Sequence, residues 1–79
     1  MTIQQLKREI LGRLHNRDPE TQVREFDGED HFGLIVNERT WIGANQATGH
    51  LLIKTLGAEA VRVPLTDPVL FDELERGLA

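Results

Sequence analysis

From His31 to Asn37 the side chains alternate without a break. Phe32, Leu34 and Val36 fall on one side, and His31, Gly33, Ile35 and Asn37 on the other. A period of two is the period of a β-strand. The run follows Asp27-Gly28, a turn signal because glycine accepts the positive φ that tight hairpin turns require. Before the turn, Thr21 to Phe26 reads as a short strand in which Val23 and Phe26 cannot share a face without a bulge. An antiparallel hairpin with one apolar face is the element the rest of the chain must cover.

The cover comes first from the start of the chain. Thr2 and Gln5 have the spacing of a capping box, and Ile3, Leu6, Ile10, Leu11 and Leu14 follow at helical spacing. These predict a helix over about 3–15, closed by Asn16 and Pro19. After the hairpin, Thr40–Ile42 reads either as a brief third strand or as an irregular connection. Asn45 then reads as the cap of a second helix running to about Leu56. Its buried side would hold Ala47, Leu51, Leu52 and Leu56, with Gly57 as its stop. Gly49 inside that helix costs about 1 kcal/mol relative to alanine, which points to close packing or a special local need. Val61, Val63 and Leu65 at period two predict a strand over Ala60–Leu65, and Pro64 ends it or confines it to a sheet edge. Asp67-Pro68 opens a last helix carrying Leu70, Phe71, Leu74 and Leu78, with Asp72 and Glu73 in its first turns. The expected fold is one α+β domain over 1–79. Its order is α-β-β-(β)-α-β-α, with a three-stranded sheet packed against helices.

Length and charge narrow the function. With 79 residues and no cysteine, the chain has neither a disulfide framework nor a thiolate nucleophile or metal ligand. A core this small is marginal. No apolar run approaches a membrane span and no signal segment is evident, so a soluble, cytoplasmic protein is expected. The net charge of −4 is uneven. Residues 1–19 carry Lys7, Arg8, Arg13 and Arg17 against two acids, whereas 20–39 carry six acids against Arg24 and Arg39. A nucleic-acid binder needs a basic stripe, and only the first helix is mildly basic. A regulator binding nucleic acid through a KH-like surface at Lys7, Arg8, Arg13 and Arg17 is therefore the runner-up. Its Gly-x-x-Gly clamp is missing at Gly43-Ala44-Asn45-Gln46.

The stretch from Val23 to His50, with the closing Ala60–Pro68, resembles the BolA-like family. The resemblance is carried by His31-Phe32 after an acidic glycine-bearing turn, the aliphatic run to Val36, Trp41 and Gly43 two apart, His50, and the Thr66-Asp67-Pro68 helix start. It implies an α-β-β-α-β-α fold. It also implies an adaptor function, with a monothiol glutaredoxin as partner and a [2Fe–2S] cluster shared between them. His50 and His31 would then be the cofactor-side residues, and Trp41, Gly43, Gly49 and His50 the partner-binding ones. The chain departs from the family pattern at Gly49, where an arginine is usual, and in a second helix shorter by about two turns. It departs again at Glu59, near the position of the family's second cluster-ligating histidine.

Considered as residues alone, the same positions have plainer uses. His31 at a strand start fits a half-exposed hairpin residue, and His50 beside Gly49 fits packing or capping as well as ligation. No local spacing pairs the three histidines as zinc ligands. Asp27, Glu29 and Asp30 lack the spacing of a calcium loop and fit a solvated turn. No serine is present, and no positioned acid–base pair is visible, so catalysis is not expected and no cofactor is required. Trp41 fits either core packing or an interface. A small core and a hard-to-place Trp41-Ile42 point to a homodimer through Trp41 or the edge strand Ala60–Leu65.

Overall fold

The computed structural model describes residues 1–78. Helix α1 spans Ile3–Arg17, followed by strands β1 (Val23–Asp27), β2 (His31–Val36), β3 (Thr40–Asn45), β4 (His50–Thr55) and β5 (Val61–Pro64), and by helix α2 (Leu70–Leu78). The strands form one antiparallel meander in the order β1-β2-β3-β4-β5. The three-stranded sheet expected from sequence is thus replaced by five strands, although α+β remains the class.

The decisive difference lies at 45–56, where a helix was expected. This segment is the end of β3, a four-residue loop and β4. Asn45 does cap backbone N–H groups, but those of a turn: its Oδ1 accepts from Ala47 N–H at 2.8 Å and Thr48 N–H at 3.4 Å. A side-chain carbonyl two or three residues before free N–H groups serves an Asx turn as well as a helix start. Gly49 takes a φ of 76° and its N–H donates to the Asn45 carbonyl at 2.9 Å, closing the hairpin. Gly57, expected as a helix stop, lies in the β4–β5 turn at a φ of 85°. Beyond Gly49 the apolar pattern is a strand pattern, with Leu51 and Ile53 buried and Leu52 and Lys54 on the other face. The α-β-β-α-β-α order implied by the family resemblance is therefore not the order of this chain.

The hairpins also differ in detail from expectation. β1 begins at Val23 and continues through Asp27 without a bulge, so Val23 and Phe26 fall on opposite faces. Gly28 does not adopt a positive φ. Its missing side chain instead makes room for the His31 ring, which an added Cβ would overlap. The β2–β3 turn is built from two non-glycine residues in the left-handed region, Asn37 (φ 51°) and Glu38 (φ 59°). Arg39 N–H donates to the Val36 carbonyl across them at 3.1 Å, the pattern of a type I′ turn.

Both helices cover one face of the sheet. Ile3, Leu6, Ile10 and Leu14 of α1 and Leu70 and Leu74 of α2 join Phe32, Leu34, Val36, Ile42, Ala44, Leu51, Ile53 and Val63 in a single buried cluster. The capping box at Thr2 and Gln5 forms in both directions. The last helix begins later than Asp67-Pro68 alone implies, after a turn in which Asp67 Oδ1 accepts from Val69 N–H at 2.9 Å. Gly77 permits α2 to approach β4 closely, since a Cβ there would lie 3.0 Å from Ile53 Cδ1. Arg13 ties the two helices together, stacking 4.3 Å from the Phe71 ring and facing Glu75 at 3.6 Å. As expected of a strand containing Pro64, β5 stops there and forms the sheet edge.

Candidate functional site

The sheet register assigns every strand residue to a face. Three rows face away from the helices: His31, Asn45, His50 and Pro64; Phe26, Gly33, Gly43, Leu52 and Arg62; Arg24, Ile35, Trp41 and Lys54. Neither helix covers this outer face, and it holds two large exposed hydrophobic side chains, Phe26 and Trp41.

Trp41 organises it. The indole crosses Gly33 and Gly43, which are direct cross-strand partners. An added Cβ at Gly33 would overlap the far edge of the ring, and one at Gly43 would lie 2.7 Å from Nε1. Two adjacent glycines thus form a shallow bed into which the ring settles. Phe26 stands beside it at 6.3 Å between ring centroids and 39° between planes, inside the range of a favourable aromatic pair. Trp41 nevertheless remains 37% exposed and Phe26 48% exposed. The bed accounts for Trp41-Ile42 within one copy of the chain: Ile42 is fully buried in the core, and Trp41 lies on the opposite face.

Beside the indole lies an open groove of about 370 Å3, bordered by His31, Trp41, Asn45, His50, Leu52 and Arg62. Register explains the convergence, because His31 and His50 flank Asn45 in one row across β2, β3 and β4. Each imidazole is oriented by its own loop. His31 Nδ1 faces the Asp30 carboxylate at 3.2 Å, and His50 Nδ1 donates to the Thr48 carbonyl at 2.9 Å. A donating Nδ1 leaves Nε2 as the uncommitted ring nitrogen. Of the residues expected to bind a partner or cofactor, His31, Trp41, Gly43 and His50 share this groove. Gly49 does not; it borders a separate depression with Met1, Ile3 and Leu70.

Of the positions implied for a shared cluster, His31 and His50 share the groove, but the one near the family's second ligating histidine, Glu59, does not join them. His50 begins β4 instead of lying early in a helix, and Glu59 follows the far end of that strand. Six residues of strand separate the two ends by about 17 Å. Among the described residues, no three histidines, aspartates or glutamates are grouped to hold a metal ion. The donor set, two histidines with no cysteine and no third ligand grouped with them among the described residues, does not fit the cluster.

The basic residues of α1 do not form a free stripe either. Lys7 is buried against the sheet, its Nζ 2.8 Å from Asp27 Oδ1 and 3.2 Å from Glu25 Oε1. The hydrogen bond to Asp27 raises its pKa above the ordinary lysine value, with Glu25 acting in the same direction and burial opposing both. Asp27 is accordingly the partner of a buried amine and not merely part of a solvated turn. Arg13 and Arg17 both face Glu75, at 3.6 and 3.4 Å. Only Arg8 of the four α1 cations makes no ion pair among the described residues.

Gly33, Phe26, Asn45, Leu52 and Arg62 are site residues that sequence reasoning missed, Leu52 having been expected on the buried side of a helix. A glycine inside an otherwise aliphatic strand was the available signal for Gly33, since it marks a close approach by another group. No family model, curated protein or solved structure matches this chain. No described helix is long and apolar enough to cross a membrane.

Proposed function

We propose that this chain is a non-catalytic interaction module that binds a protein partner through the outer face of its sheet. The observation that carries the reading is the Trp41 indole, seated on the Gly33–Gly43 pair yet exposed beside Phe26 and the groove. A tryptophan with one face fixed by backbone offers the other at low entropic cost, as binding hot spots do. Leu52 and Ile35 extend the apolar ground on either side, and the two histidines and Arg62 supply a polar rim. This arrangement follows the usual anatomy of an interface, with an aromatic centre and a polar margin.

The reading keeps the adaptor class implied by the family resemblance but rests on the face, not on the resemblance. It specifies neither a glutaredoxin nor a cluster. The test is a selection of random displayed peptides on the folded chain, counter-selected on Trp41→Ala, with circular dichroism confirming that the variant folds. Enriched peptides that bind the native chain, shift its single-tryptophan emission and lose affinity for Trp41→Ala support the reading. Enrichment indifferent to Trp41 overturns it.

A further inference from the structure

The outer face is unlike the chain as a whole in charge. The protein carries −4 overall, yet the three outward rows contain Arg24, Lys54, Arg62 and two histidines and no carboxylate. The acids of β1 explain the difference. Glu25 and Asp27 project to the helix side, where Lys7 neutralises them. Two of the three outer cations are already engaged: Arg24 pairs with Glu38 at 2.9 Å, and Lys54 Nζ donates to the Ala58 carbonyl. Arg62 makes no ion pair or side-chain hydrogen bond among the described residues. It borders the groove together with His31, His50 and Leu52, next to the indole.

Resting on the interaction reading above, we infer that the groove docks an acidic peptide segment built around an apolar anchor. The anchor lies on Trp41 and Leu52, and a flanking aspartate or glutamate meets the Arg62 guanidinium. A fork of N–H donors beside an apolar floor is suited to a carboxylate, which can accept two of those donors at once. The uncommitted Nε2 atoms of His31 and His50 can accept hydrogen bonds from peptide N–H groups when neutral.

Charge decides between this occupant and its rivals. A second copy docked face to face under two-fold symmetry would set two identical faces together, each with cations and no carboxylate in its three rows, so neither would supply a partner for Arg62. A single-stranded nucleic acid would find aromatic surface to stack on. Its phosphates would meet one uncommitted guanidinium, with Glu29 and Asp30 at the nearby β1–β2 turn. An acidic peptide meets the same two carboxylates, but it need place only one charge, on Arg62 and away from Asp30. It can also set an apolar side chain on the floor, whereas a nucleic acid carries a charge at every nucleotide.

The experiment titrates the intact 79-residue chain with three labelled probes, reading Trp41 emission and probe anisotropy. The probes are a peptide of aspartates and glutamates flanking Leu-Phe, its lysine-flanked counterpart, and oligouridine. The acidic peptide is expected to bind best, to weaken as salt rises, and to lose about tenfold in affinity on Arg62→Glu. Arg8→Glu on α1 should leave its affinity unchanged. Equal or tighter binding of the lysine peptide or of oligouridine overturns the inference, as does no binding by any probe. A dimer in sedimentation that dissolves on Trp41→Ala overturns it too. Failure of this inference is distinguishable from failure of the interaction reading. Displayed peptides that depend on Trp41 but are basic or uncharged would refute the acidic ligand alone. Peptides indifferent to Trp41 would refute both.

Discussion

Lys7 of α1 lies under β1 with its ammonium 2.8 Å from the Asp27 carboxylate, joining the first helix to the outermost strand. Its side chain is 11% exposed, whereas Glu25 and Asp27 are about half exposed. The pair therefore holds β1 onto the core at a place where the strand has little apolar surface to bury: from Arg24 to Asp27 every β1 residue is exposed.

Replacing Lys7 by methionine keeps most of the packed stem and removes the charge. Breaking a fully buried pair costs about 3–5 kcal/mol. Here the abandoned carboxylates can rehydrate, so Lys7→Met should lower the unfolding free energy by only about 1–2 kcal/mol. Urea denaturation checks this. The pKa of Lys7 is raised in the folded state, so the stabilisation is present in full below the unfolded lysine value, near 10.4. It is lost as pH rises through the folded value. The native chain should thus lose stability more steeply than Lys7→Met above about pH 10, and parallel curves would contradict the assignment.

Gly33→Ala should expel the indole from its bed. The added Cβ occupies the space of the ring edge, and Trp41 can yield only by swinging into solvent. The loss of the aromatic pair, about 0.5–1.5 kcal/mol, together with the ring area returned to water, should outweigh the gain of about 0.5–1 kcal/mol from replacing a strand glycine. Net destabilisation and a red-shifted tryptophan emission are expected. On a Trp41→Ala background the same substitution should become neutral or stabilising, and a double-mutant cycle measures that reversal.

Gly49 separates a hairpin from a helix by sign. Nothing lies within 4 Å of a Cβ placed there, so the cost of alanine is purely that of holding a φ of 76°. Gly49→Ala should therefore destabilise by about 1 kcal/mol, and Gly49→Asn by less. In a helix interior the alanine would instead stabilise by about the same amount. Thermal unfolding of the two variants gives the answer directly.

Thr2→Ala removes the hydroxyl that accepts from Gln5 N–H at 3.1 Å. A loss of about 1 kcal/mol is expected. Hydrogen exchange should show its largest loss of protection in the first turn of α1, with the β2–β3–β4 amides losing no more than that global change.

The residues that reveal themselves in the sequence are those whose local signals admit one reading. The capping box and the 3.6-residue stripe of α1, the alternation of β2, and the proline that ends β5 all belong to this class. Asn45 to Leu56 does not. An Asx side chain before free N–H groups opens a helix or a turn alike, and the segment carries both periods, Ala47, Leu51, Leu52 and Leu56 at helical spacing and Leu51 and Ile53 two apart. What decided between them was a vacancy: β3 and β5 each have backbone groups that only a strand lying between them can satisfy. The site has the same history. The family resemblance names His31, Trp41, Gly43 and His50 by their places in the sequence, but their meeting in one groove is a matter of sheet register. Arg62 joins them only because β5 pairs with β4 and aligns it opposite Leu52. Local chemistry in the sequence determined the elements that need no neighbour. Long-range backbone pairing, which no short window of sequence contains, decided β4 and the composition of the outer face.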